Sequence, residues 1–346
     1  MAEVLEEYVG RLAPSPTGAL HLGNVRTFMI AWLRARSLGG RILLRMEDLD
    51  HPRDKPGAAE GAIEDLRWLG FDWDGSCVQS ERRGVYRAAL EKLGGLVYPC
   101  VCSRRDVEAA QSAPHDGDQL RYPGTCRGRF ASWDEAIACK SAANAGQGSL
   151  AAQTPCWRFR VEPGTVVEFD DVFAGRFSQD VFAALGDFPL ARDRDGAGYT
   201  LACTVDDVIS GVTEVVRGDD LLAATPAQIL VAKALGAKPP RYCHVPLVVG
   251  RDGRRLAKRH GDTRISALRA AGAKPEEILG ALAFSCGWAE RGERVSLAGL
   301  VPRFDLSSIP RSPYAIDFEV LQCFGVKDTE LESNKGFKDT NGARKT

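Results

Sequence analysis

Tyr8-Val-Gly-Arg-Leu-Ala-Pro14-Ser15-Pro-Thr-Gly18-Ala-Leu-His21-Leu-Gly23-Asn24 holds a strand, a turn and the opening of a helix in one short stretch. Tyr8 to Ala13 reads as the strand, and Pro14-Ser-Pro-Thr-Gly18 is a turn that no helix can contain. Beyond Gly23, Val25, Phe28, Met29, Trp32 and Leu33 recur at helical spacing, with Arg26, Arg34 and Arg36 between them. Gly39-Gly40 supplies the stop. Ile42 to Met46 is then a near-continuous apolar run between Arg41 and Glu47, the pattern of a buried parallel strand. One strand–helix–strand unit is complete by residue 50, which predicts an α/β fold with a parallel sheet.

Outward from that unit, helical periodicity returns at Ile63, Leu66 and Leu69 and again at Tyr86, Leu90 and Leu93. Residues 99–130 break it with cysteines, prolines and glycines, the texture of a small metal-stapled insertion. Ala131 to Thr154, rich in Ala, Ser, Gly and Gln, reads as a variable helix or loop. Strand-like segments follow at Trp157–Val161, Tyr199–Val205 and Val212–Val216, then a helix over Ala227–Leu235 that ends at Gly236. Residues 263–300 look mainly helical, and the polar tail from Lys327 to Thr346 reads as disordered.

With 346 residues, 44% hydrophobic and 26% charged, the chain has globular composition and room for two or three domains. Its 45 basic and 46 acidic side chains exclude a uniformly polybasic nucleic-acid coat, so any such surface is a local patch. No apolar run is long enough to span a membrane, and the acidic start lacks a signal-peptide or transit pattern. Ten cysteines without a secretory signal point to reduced thiols or metal ligands. These features predict a cytoplasmic protein; a monomer is expected, although none of them reads out oligomeric state.

Two segments suit phosphate. Gly18 to Asn24 lacks the lysine of a phosphate loop, and no G-x-G-x-x-G is present. A strand, a Pro/Gly turn, and His21 and Asn24 at the first turn of a helix nonetheless aim free backbone amides and a positive dipole end at an anion. The second segment, Arg251-Asp-Gly-Arg-Arg-Leu-Ala-Lys258-Arg259-His260, has five basic residues in ten besides its histidine, enough to neutralise a triphosphate.

Metal candidates cluster too. Cys100-Val-Cys102 precedes Tyr122-Pro-Gly-Thr-Cys126, and three soft thiolates with one harder ligand suit tetrahedral zinc. Spacing leaves the fourth ligand open among His115, Tyr122 and water. Cys77, Cys139, Cys156, Cys203, Cys243, Cys286 and Cys323 are scattered and read as structural.

Arg11 to Gly18 followed by His21-Leu-Gly-Asn24 resembles the opening signature of the class I aminoacyl-tRNA synthetases of the glutamyl type. Arg45-Met-Glu-Asp-Leu-Asp50, Gln79-Ser-Glu-Arg82, Gly211-Val-Thr-Glu-Val-Val-Arg-Gly218 and Arg255-Leu-Ala-Lys258-Arg259 continue the pattern in the family's order. The resemblance spans residues 8–262 and implies a Rossmann-like catalytic domain with a zinc-containing insertion and a short helical C-terminal domain. Its divisions fall at 1–104 and 196–262 for the two catalytic halves, 105–195 for the insertion, 263–324 for a stem-contact domain and 325–346 for a tail.

The resemblance further implies activation of L-glutamate by ATP with Mg²⁺. His21, Asn24 and Lys258 would carry the ATP phosphates, and Arg11, Ser15, Glu47, Tyr199 and Arg217 would bind glutamate. In the second ATP loop the family's lysine, serine and last lysine positions are Arg255, Ala257 and Arg259, a change that bears on rate more than on activity. Asn24 replaces a histidine but can still donate to phosphate. Fewer than ninety residues follow Arg259, too few for the family's anticodon-binding region. That length and the cysteine pattern, with Cys100, Cys102, Tyr122 and Cys126 as zinc ligands, are similar to a shortened branch of the family. Its acceptor is queuosine in the anticodon stem-loop of tRNA(Asp). The other readings are a minimal enzyme charging tRNA(Glu) and an inactive tRNA-binding module.

Overall fold

The computed structural model describes residues 7–49, 55–109, 121–143, 154–194, 196–250, 252–254, 256 and 263–316. Lys258, Arg255, Ala257, Arg259, His115, Cys323 and the polar tail lie outside the described residues. The chain divides into two compact units, the first Met1–Cys77, Val216–Asp220 and His244–Thr346, the second Val78–Val215 and Leu221–Cys243.

In the first unit, β1 (Val9–Leu12), α1 (Leu22–Ser37) and β2 (Arg41–Met46) form the strand–helix–strand unit that the opening stretch predicts. β1 and β2 are parallel, with Val9 opposite Arg41 and Leu12 opposite Leu44. The reversal after α1 needs both glycines. Gly39 is at φ +65°, and a Cβ on Gly40 would collide with the Tyr8 carbonyl, which accepts from Arg41 N. Val25, Met29, Ile30 and Leu33 on α1 are buried, as are Leu12, Ile42 and Leu44 on the two strands against which α1 packs. α2 (Ala58–Trp68) follows, and β3 (Gly75–Val78) completes a sheet ordered β1-β2-β3.

In the second unit, α3 (Arg83–Leu93) leads to β4 (Val97–Cys100), α4 (Arg104–Ala109), α5 (Trp133–Ala143) and β5 (Cys156–Phe159). β6 (Val166–Asp171) and β7 (Gly175–Asp180) form an antiparallel hairpin, followed by α6 (Val181–Ala184) and β8 (Phe188–Ala191). β4, β5 and β8 make a three-stranded antiparallel sheet in which Cys100 stands opposite Cys156.

The segment Tyr199–Val205 corrects the sequence reading. It is not a strand but the start of α7 (Tyr199–Ile209). Its β-branched residues suggest a strand locally, yet Leu201, Ala202 and Val205 are buried at helical spacing. Thr204 Oγ1 bonds the Thr200 carbonyl one turn back at 2.7 Å. Buried Asp206 on the same helix accepts from Gln79 and Tyr86, each at 2.9 Å. Tertiary burial overrides propensity here.

β9 (Glu214–Gly218), α8 (Thr225–Ala234) and β10 (Arg241–Val245) follow, with β9 paired to β10. The chain then returns to the first unit through β11 (Val248–Val249), α9 (Ile265–Ala270), α10 (Pro275–Phe284) and α11 (Leu297–Leu300). Residues 263–300 are thus largely helical, and β12 (Tyr314–Ala315) pairs in parallel with β11. No helix among the described residues is long and apolar enough to cross a membrane.

Candidate functional site

α1 begins on a histidine cap. His21 Nδ1 accepts from Gly23 N at 3.1 Å and Asn24 N at 3.4 Å, while Asn24 Oδ1 accepts from His21 N at 3.2 Å. This reciprocal capping box fixes both side chains. With Nδ1 an acceptor, the neutral ring carries its proton on Nε2. With Oδ1 engaged, Asn24 presents its amide nitrogen. Both remaining groups are donors, as a phosphate oxygen requires.

Described residues that flank the second basic segment lie at the same place. Leu22 N donates to Thr263 O at 3.1 Å, and Ile265 N donates to Leu20 O at 2.9 Å, so the chain at Thr263 and Ile265 is stitched to the start of α1. Leu256 and Thr263, the described residues on either side of Lys258, line one cavity of about 940 Å³ with Gly18, Ala19 and His21. Described residues on both sides of Lys258 thus share a cavity with the start of α1, while Lys258 itself lies outside the described residues.

β1 and β9 each carry a buried arginine. Arg11 is 6% exposed and its Nη1 donates to Val216 O at 2.8 Å, the carbonyl immediately before Arg217. Arg217 is also buried, and its Nε donates to His244 Nε2 at 3.0 Å. His244 is 1% exposed and was not singled out in the sequence reading, because its partner lies 27 positions away with no local pattern between them. Glu47 N donates to Pro14 O at 2.9 Å, which ties Glu47 to the turn bearing exposed Ser15. Arg45 donates to Glu47 Oε1 at 3.1 and 3.2 Å. Arg11, Ser15, Glu47 and Arg217 thus belong to the first unit. Tyr199, at the start of α7, is 42% exposed and belongs to the second.

The second unit holds the cysteine cluster. Cys100, Cys102 and Cys126 bring their sulfurs within 4.8 Å of one another. Tyr122 Oη lies 3.2 Å from Cys100 Sγ and 3.6 Å from Cys102 Sγ, and it accepts from Cys126 N at 2.8 Å. Zinc–sulfur bonds of about 2.3 Å and zinc–oxygen bonds of about 2.0–2.2 Å give tetrahedron edges of roughly 3.5–3.8 Å. The cluster is close to that size, so three thiols and one phenol fit the ion. Hydrogen bonds from Cys102, Cys126 and Cys156 hold Cys100 far below the usual thiol range, whereas bonding to Cys100 pushes Cys102 and Cys156 up. Burial and the same bonding push Tyr122 up. Cys156, read from the sequence as scattered, packs against this cluster from the opposite strand.

The family model for the catalytic domain of class I tRNA synthetases (E and Q) matches residues 7–323. The chain is 46% identical over 327 residues to the glutamyl-Q tRNA(Asp) synthetase of Symbiobacterium thermophilum, covering 90% of this chain and 97% of that protein. It is 45% identical to the protein of the same name in Rhodopirellula baltica, with 91% and 98% covered. A solved glutamate-tRNA synthetase from Elizabethkingia anophelis superposes with a TM-score of 0.75 at 27% identity, over 92% of this chain and 70% of that one.

Proposed function

The chain belongs to the class I tRNA synthetases of the E and Q group, and from that premise we propose that it joins L-glutamate to the queuosine base of tRNA(Asp) through glutamyl-adenylate. The observation that carries the acceptor is the near end-to-end match to relatives bearing that activity in their names, at 97% and 98% of their lengths.

Arg11 and Arg217 suit the two carboxylates of glutamate, and Glu47 suits its ammonium. Ser15 and the phenol of Tyr199 are further polar contacts. An α-carboxylate oxygen attacks the α-phosphorus of ATP, the bond to the bridging oxygen breaks, and pyrophosphate leaves with its Mg²⁺. The Nε2–H of His21, the amide of Asn24 and the ammonium of Lys258 oppose the charge that gathers on the phosphates. In the second step a cyclopentene hydroxyl of queuosine attacks the acyl carbon and AMP departs. The hydroxyl proton goes to the adenylate phosphate, which leaves with AMP.

Cys100, Cys102, Cys126 and Tyr122 are the residues that would hold zinc, which when bound ties the end of β4 to the turn at 122–126. The catalytic halves at 1–104 and 196–262, the insertion at 105–195 and the stem-contact segment at 263–324 are retained as the functional division.

The test is charging with labelled glutamate, using bulk tRNA from cells able or unable to make queuosine. Label should enter tRNA(Asp) of the first pool alone, since guanine has no ring hydroxyl to attack the adenylate. Equal charging of both pools, with label on tRNA(Glu), would promote the minimal glutamate enzyme. Absence of any pyrophosphate exchange would promote the inactive module.

A further inference from the structure

Arg158 is an unusual residue to find at the centre of a sheet. It is 8% exposed, sits opposite Tyr98 in the β4–β5 pairing, and makes no carboxylate ion pair among the described residues. A buried guanidinium requires an anion or a full set of acceptors. Its Nε donates to Cys100 Sγ at 3.2 Å and its Nη1 to Asp187 O at 2.8 Å. Its guanidinium carbon lies 3.7 Å from the centre of the Tyr122 ring.

We propose that Arg158 is the counter-cation of the cysteine cluster, setting its affinity for zinc and holding Tyr122 in position as the fourth ligand. This rests on the zinc reading above and goes beyond it. Three thiolates around a divalent ion leave one negative charge in a buried place. One guanidinium cancels it if Tyr122 binds as a phenol. The same planar group bonds the sulfur of one ligand and covers the ring of another, so it orients both at once. An ammonium keeps the charge but has no planar face to stack on the ring.

The arrangement continues outward. Asp187, whose carbonyl fixes Arg158, has its own carboxylate held by Tyr98, Arg127 and Val161 N. Those bonds outweigh burial and keep its pKa below the usual carboxylate value. Arg127 directly follows the ligand Cys126, and Tyr98 precedes Cys100 by two residues. Arg158 and Asp187 therefore brace the β4 ligands and the 122–126 turn from one side.

The experiment compares the full chain with Arg158→Met and Arg158→Lys, measuring zinc affinity by competition with a chromophoric chelator and the spectrum of the cobalt-substituted site. Arg158→Met should lose about 10–100-fold in affinity, and Arg158→Lys, which keeps the charge, distinctly less. Tyr122→Phe should weaken binding more in the natural background than beside Arg158→Met, since the two act together. Affinity within about threefold of the unsubstituted protein in Arg158→Met overturns the proposal. Equal losses in Met and Lys overturn its charge argument. Should Arg158→Met fail to fold, Arg158→Lys with an unaltered affinity and cobalt spectrum is the overturning result. A natural chain that takes up neither zinc nor cobalt instead overturns the metal reading itself.

Discussion

Arg217 donates its Nε–H to a neutral imidazole, because His244 Nε2 can accept only while that nitrogen is unprotonated. The histidine bonds the guanidinium without cancelling its charge, which suits the proposed contact of Arg217 with a glutamate carboxylate. Arg217→Ala should therefore raise the glutamate KM in pyrophosphate exchange by an amount equivalent to about 2–5 kcal/mol, the cost of leaving a buried carboxylate without its cation. An unchanged KM would remove Arg217 from the site. At this scale the sequence was a partial guide. The position of Arg217 is readable because it closes a local motif, Gly211 to Gly218, whereas His244 is brought to it only by the pairing of β9 with β10. Arg158 and Cys156 were missed for the same reason: their partners on β4 lie more than fifty positions away.

Elements whose reasons are local were the legible ones. The start of α1 follows from His21 and Asn24 capping each other, and its end from Gly39-Gly40. α7 was misread because a local pattern of Thr and Val cannot reveal that Asp206 is tethered by Gln79 and Tyr86. The cap of α1 is made by His21 and Asn24 of this chain alone, so assembling its donors calls on no group of a tRNA. Glutamate-dependent ATP–pyrophosphate exchange should accordingly proceed without any tRNA; strict dependence on added tRNA would mean that the cradle is not the limiting assembly. α2 makes a different prediction through Asp65, which lines the same cavity as His21 and is 5% exposed. Burial first, then Glu64, pushes its pKa up to about 6 against the opposing pull of Arg269. A carboxyl with a raised native pKa binds its proton more tightly when folded. The folded state consequently loses stability as pH rises from the ordinary carboxylate value through about 6, and the loss is complete above that. Asp65→Asn should thus gain roughly 1–3 kcal/mol at pH 8 and little at pH 4, as read from chemical denaturation at both. A gain at pH 4 alone would reverse the sign and refute the assignment.

Over the whole molecule, 45 basic and 46 acidic side chains leave a net charge of -1, so the chain has no general attraction for a polyanion. Composition made that much legible, and the ordered motifs made the family legible. The antiparallel β4-β5-β8 sheet was only partly so, because β8 carries no distinctive signal and its place depends on long-range pairing. The charge balance bears directly on how tRNA is held. Affinity for a nucleic acid falls with salt in proportion to the number of phosphates neutralised, at about 0.7–0.9 log units per contact for each tenfold rise in salt. On the proposed function, in which a near-neutral protein takes one stem-loop, only a handful of such contacts should form. Fluorescence anisotropy with tRNA(Asp) at about 50–200 mM salt should give a log–log slope no steeper than roughly -4. The same slope should hold whether or not queuosine is present, because the modified base adds no phosphate contact; the two tRNAs should differ in charging far more than in binding. A slope steeper than about -8 would require an extended basic surface along the tRNA, and it would count against recognition confined to one stem-loop.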